Sequence, residues 1–86
     1  MLQVSFVNTN TEYKMINQQQ ALSLLSRKIR KSRAQRSITM EKLAYENDIS
    51  KGNLSDIENL KRSPSLATLV KIANGLECRV KDLMDF

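Results

Sequence analysis

The chain has 86 residues, 41% of them hydrophobic and 27% charged, with two Gly, one Pro and a formal net charge of +5. That is enough for one domain around one core, too apolar for a disordered chain, and so poor in loop-forming residues that helices should dominate. No run approaches the ~20 apolar residues that span a bilayer, residues 1–7 lack the cationic start of a secretion signal, and Cys78, the only cysteine, has no internal partner. A cytoplasmic protein with no membrane association is expected. With no His, no second Cys, no Gly-rich phosphate loop and no paired acids, the pattern is not that of an enzyme and indicates neither metal nor cofactor.

Residues 1–16 read as a non-helical N-terminal arm, separate from a domain over 17–86. Leu2, Val4 and Phe6 alternate with polar residues, a strand-like period. The arm is either a ribbon that pairs with a second copy or a frayed tail. A first helix should start after Asn17, an N-cap completed by Gln20 as a capping box. Leu22, Leu25 and Ile29 mark its buried face, and it should end near Gln35 or Arg36.

Thr39 caps a second short helix through Glu46, with Glu41 in the first turn, where it complements the helix dipole. Asn47-Asp48-Ile49 stops it, and Ser50 caps a third helix over 51–59 with Leu54 and Ile57 facing in. After the loop Lys61-Arg62-Ser63-Pro64, Ser65 caps a fourth helix whose inner face is read as Leu66, Leu69, Ile72 and Ala73. Gly75 fits a left-handed C-terminal cap. Val80, Leu83 and Met84 suggest a last short helix.

The informative unit is 39–59. Two short capped helices joined by three or four residues cannot run antiparallel, so they cross at a wide angle, as in a helix-turn-helix. In such a unit the second helix enters the major groove of DNA, its N-terminal residues at the base edges.

The segment from Leu25 to Leu83 resembles the phage repressor and Cro-type (XRE-like) helix-turn-helix family. The resemblance is carried by Ile29-Arg30, Arg33, Ile38-Thr39, Leu43-Ala44, Ile49-Ser50, Leu54, Ile57-Glu58, Pro64-Ser65-Leu66, Leu69, Ile72-Ala73, Leu76 and Leu83. It implies an all-α, compact five-helix, lambda-repressor-like DNA-binding domain. The implied function is a sequence-specific transcriptional regulator, a repressor or controller acting as a dimer on an inverted-repeat operator. The competing reading is a protein-interaction module on the same fold, such as an antitoxin or co-regulator, because fold does not fix function.

Carried over by position, base contacts fall on Lys51, Gly52, Asn53 and Asp56. Phosphate contacts fall on Thr39, Met40, Ser50, Asn59, Lys61 and Arg62. A structural ion pair falls on Arg33 and Glu58, which otherwise are solvated surface charges. Thr39 serves equally well as a plain N-cap. Met40 stands where the family often has Gln, so a side-chain phosphate contact is lost there. Asp48 and Leu60 stand where Gly is frequent, and Ser32 where an apolar residue is usual. Cys78, at a position often occupied by Val, reads as a small buried hydrophobe.

Residues 27–36 hold six cations and no anion. They either add phosphate contacts or complement the dipole at the C-terminal end of the first helix. The partners implied are double-stranded DNA, a second copy of the chain and, on the competing reading, another protein. The candidate dimer surfaces are the helix from Val80 to Phe86 and the N-terminal arm.

Overall fold

The computed structural model describes residues 15–86. Most of the expected arm, including its alternating Leu2, Val4 and Phe6, lies outside the described residues. Five helices follow one another: α1 (Gln18–Arg36), α2 (Met40–Glu46), α3 (Lys51–Glu58), α4 (Leu66–Gly75) and α5 (Val80–Leu83). The described residues contain no strand.

Local chemistry starts the first four helices. Asn17, Thr39, Ser50 and Ser65 each accept a hydrogen bond at the side-chain oxygen from the backbone N–H three residues on. This satisfies one of the free donors of the first turn. At Asn17 the box is reciprocal, with the Gln20 amide oxygen accepting from the Asn17 N–H at 2.9 Å.

The helix ends share a different device. Ser37, Asp48, Leu60 and Glu77 all have left-handed backbones, with φ of 55°, 56°, 64° and 56°. Each is followed by a residue whose N–H returns to a carbonyl five positions back: Ile38 to Arg33, Ile49 to Ala44, Lys61 to Asp56 and Cys78 to Ala73. These are Schellman terminations, which ordinarily place Gly at the left-handed position. Here none is Gly, so each carries the ~1–2 kcal/mol steric cost of an L-residue in that region.

Gly75 is therefore not the left-handed cap expected of it. It is the last residue of α4, and the left-handed position is Glu77. Gly75 is small because two helices meet there. A Cβ would fall against the Asn47 amide and 2.5 Å from Leu43 Cδ1 of α2.

One core unites the helices: Leu22, Leu25 and Ile29 of α1, Leu43 and Ala44 of α2, Leu54 and Ile57 of α3, Leu69, Ile72 and Ala73 of α4, with Ile49, Leu76 and Leu83. Leu66 does not join it. Its side chain is 71% exposed, because α4 turns its inner face one turn later, at Leu69. Cys78 is only partly buried, at the edge of the core.

Ser26 sits fully buried among these residues, its hydroxyl donating to the Glu58 carbonyl at 2.8 Å. The Glu58 carboxylate, 5% exposed, accepts from Arg33 through both oxygens, Nε at 2.9 Å and Nη2 at 2.8 Å. Arg33 Nη1 also donates to the Ile38 carbonyl at 3.0 Å. A bidentate, charge-assisted joint thus fixes α1 against α3 and the α1–α2 turn together.

Candidate nucleic-acid interface

Four residues, 47–50, separate α2 from α3. Asp48 turns the chain and buried Ile49 pins the turn to the core. Lys71 of α4 braces it from outside, its Nζ donating to the Asp48 carbonyl at 3.0 Å. A connection this short and braced keeps α2 and α3 from running antiparallel side by side.

Burial of Leu54, Ile57 and Glu58 turns the opposite side of α3 outward. Lys51 is 66% exposed, and a Cβ at Gly52 would meet nothing within 4 Å. Asn53 is half-buried. Its Oδ1 is buried without a hydrogen-bond partner. Asp56 is partly exposed on the same helix, and its Oδ2 lies 3.6 Å from Arg62 Nη2.

The expected phosphate residues flank this edge. Thr39 and Ser50 accept backbone N–H groups as caps at 3.0 and 2.9 Å, which leaves each hydroxyl hydrogen free to donate outward. The two roles weighed for Thr39 are thus compatible. The Met40 side chain packs against the core, leaving its backbone N–H, which has no intrahelical partner at a helix start, as the group able to meet a phosphate. The Asn59 amide donates back to the Ser55 carbonyl at 2.9 Å. Lys61 and Arg62 are exposed. Their loop is tied to α1, with Gln18 donating to Ser63 Oγ at 2.9 Å and Gln19 to the Leu60 carbonyl at 3.4 Å.

Sequence reasoning missed three contributors. Lys71 braces the turn, Ser26 satisfies the end of α3, and Glu41 lies 3.5 Å from Lys51 Nζ. All three are contacts between separate elements, without a local signature. A backbone hydrogen bond, reinforced by the Lys51 ammonium, holds the Glu41 carboxyl below the usual carboxylate range.

Among the described residues no group of three or more His, Cys, Asp or Glu is placed to hold a metal ion. No helix among them is long and apolar enough to cross a membrane.

Residues 28–86 match the Cro/C1-type HTH DNA-binding domain family. The chain belongs to this family. It is 41% identical over 64 residues to the control protein C.BamHI of Bacillus amyloliquefaciens, covering 73% of this chain and 79% of that one. Its fold matches an HTH_3 family transcriptional regulator from Vibrio cholerae with a TM-score of 0.74 and 29% identity, over 80% of this chain. The match covers 39% of that longer protein. A point mutant of the restriction–modification controller protein C.Esp1396I matches with a TM-score of 0.69 and 30% identity, over 83% of this chain and 87% of that one. Members of the Cro/C1-type family are DNA-binding transcriptional regulators, not enzymes. The regulator described here acts on double-stranded DNA through its helix-turn-helix.

Proposed function

We propose that this Cro/C1-type regulator is a controller that binds an inverted-repeat operator as a homodimer in the cytoplasm. Its domain spans 17–86, and α3 lies in the major groove. Lys51, Asn53 and Asp56 read base edges, and Gly52 lets the backbone approach closely. Thr39, Met40, Ser50, Asn59, Lys61 and Arg62 hold the phosphates on either side. The observation that carries this reading is the exposed N-terminal edge of α3, with Lys51 and Gly52 open to solvent beside a basic loop that α1 holds in place. The controller role is supported by the likeness to C.BamHI and C.Esp1396I.

The dimer reading rests on apolar surface. Met84 and Phe86 are 41% and 46% exposed at the end of the chain, and Leu66 and Val70 stand exposed one turn apart on α4. Two recognition helices related by a two-fold axis place half-sites about one DNA turn apart, ~34 Å.

Selection of bound DNA from a random pool tests operator and symmetry together. A symmetric consensus is expected, with affinity falling steeply as salt rises. An asymmetric site, or no enrichment, overturns the proposal. Sedimentation equilibrium checks the dimer, and Phe86→Asp is expected to shift it toward monomer.

A protein partner is the second reading. The observation behind it is a groove of about 360 Å³ between α1 and α5, whose lining includes Arg27, Lys28, Lys31, Cys78, Asp82 and Leu83. Burial pushes the Cys78 thiol up from its ordinary pKa, so it stays protonated there.

A further inference from the structure

The charges of the reading face are already paired within the free protein. Lys51 Nζ lies 3.5 Å from Glu41 Oε2, and Arg62 Nη2 lies 3.6 Å from Asp56 Oδ2. All four side chains are exposed by 39% or more, so the pairs open at little cost. Two carboxylates on a surface built to meet a polyanion each oppose binding. The Lys51–Glu41 pair spans α2 and α3, but both side chains are exposed, unlike the buried Arg33–Glu58 joint.

We propose that Glu41 and Asp56 are specificity determinants that hold Lys51 and Arg62 away from the phosphates of unmatched DNA. This rests on the DNA-reading role of α3 proposed above. On random duplex a free cation gains by sitting on a phosphate and releasing a counterion. A tied cation gains less, because leaving its carboxylate uncovers a negative charge beside the backbone. At a matched site the exchange is compensated. Lys51 donates to guanine O6 and N7, Asp56 accepts from a cytosine amine, and Arg62 is released to a phosphate. The opposition is therefore the same at every sequence, and its relief depends on the bases.

The test compares wild type, Glu41→Gln and Asp56→Asn on random duplex and on the site recovered by selection, by fluorescence anisotropy over ~50–200 mM salt. Glu41→Gln is expected to bind random duplex about three- to fivefold more tightly. Its plot of log affinity against log salt should steepen by about one, with a smaller gain at the selected site. Asp56→Asn should gain on random duplex and lose at the selected site. Glu77→Gln, which removes an exposed carboxylate paired with Arg36 outside α2, α3 and the proposed dimer surface, should leave the selectivity ratio alone. NMR titration of Glu41 should show its carboxyl rising toward the ordinary range in Lys51→Met.

Unchanged ratios in Glu41→Gln and Asp56→Asn, an equal effect in Glu77→Gln, or an unmoved Glu41 titration would overturn the proposal while leaving DNA binding intact. Wild-type protein that bound no duplex at all would overturn the DNA-reading role and the proposal with it.

Discussion

Two of the Arg–carboxylate pairs of this regulator have the same chemistry and opposite surroundings. Arg33 and Glu58 meet between α1 and α3 at 2.8 Å with the carboxylate 5% exposed, and every donor and acceptor has a geometric reason to stay. Arg62 and Asp56 meet on the outer side of α3 at 3.6 Å, exposed by 60% and 39%. Water screens the second pair, so a phosphate or base edge can replace either partner at little cost. The first cannot be exchanged, because removing one partner strands a charge in the core. Burial, not residue type, separates a structural joint from an exchangeable surface pair.

Mutation should separate the two most sharply at the buried joint. Arg33→Ala is expected to cost about 3 kcal/mol, a fall of ~12 °C or more in melting temperature for a domain this size. Replacing both partners by Met and Leu should restore much of that loss, because no charge is then stranded. Calorimetry decides it, and equal losses in the single and double variants would count against a buried joint.

On the proposed reading face the effect should move from stability to recognition. Lys51→Ala is expected to cost about 1–3 kcal/mol of discrimination between matched and unmatched sites, while stability stays within ~0.5 kcal/mol. Arg62→Ala should weaken binding at the selected site more than on random duplex and lower the salt slope on the selected site by about one. Binding isotherms at several salt concentrations check both, and a large melting shift in either variant would erase the contrast.

Away from charge, Gly75→Ala should destabilise by about 1–3 kcal/mol through overpacking against Leu43 and Asn47. Ser37→Gly should stabilise by about 1 kcal/mol by relieving a left-handed L-residue. Denaturant melts give both signs, and matching signs would break the assignment of steric roles.

The smallest effect concerns α5. The Arg79 backbone N–H holds the Asp82 carboxyl below its usual range. A lowered folded pKa contributes stability in full above the ordinary value of ~4 and loses it as pH falls through the folded one. The N-terminus of α5 should therefore fray early on acidification, seen as loss of amide protection at Arg79. Protection that persisted after Asp82 had protonated would remove that role.

How far the sequence was legible differs by kind of feature. The N-caps Asn17, Thr39, Ser50 and Ser65 were readable because a cap and its partner lie three residues apart. The helix ends were less so. Gly75 carried the usual signal for a left-handed stop, yet Glu77 adopts it, since Gly75 is needed where α2 crosses α4. Leu66 matched the helical period but fell outside the core, because the packing of α4 against α2 and α5 sets where its buried face begins. The candidate reading residues Lys51 and Asn53 were named from their place at the start of α3. The partners of Lys51 and Arg62 were not, because Glu41 lies on another helix and the Asp56–Arg62 contact depends on how the chain leaves α3.

By itself, the order of residues determined which segments are helical, where they start and to which family the chain belongs, because caps and apolar periods act within a few residues. Only the tertiary structure decided which charges are buried and which are lent to the surface. That outcome depends on the distance and solvent exposure of groups far apart in the chain, such as Arg33 with Glu58 and Lys51 with Glu41.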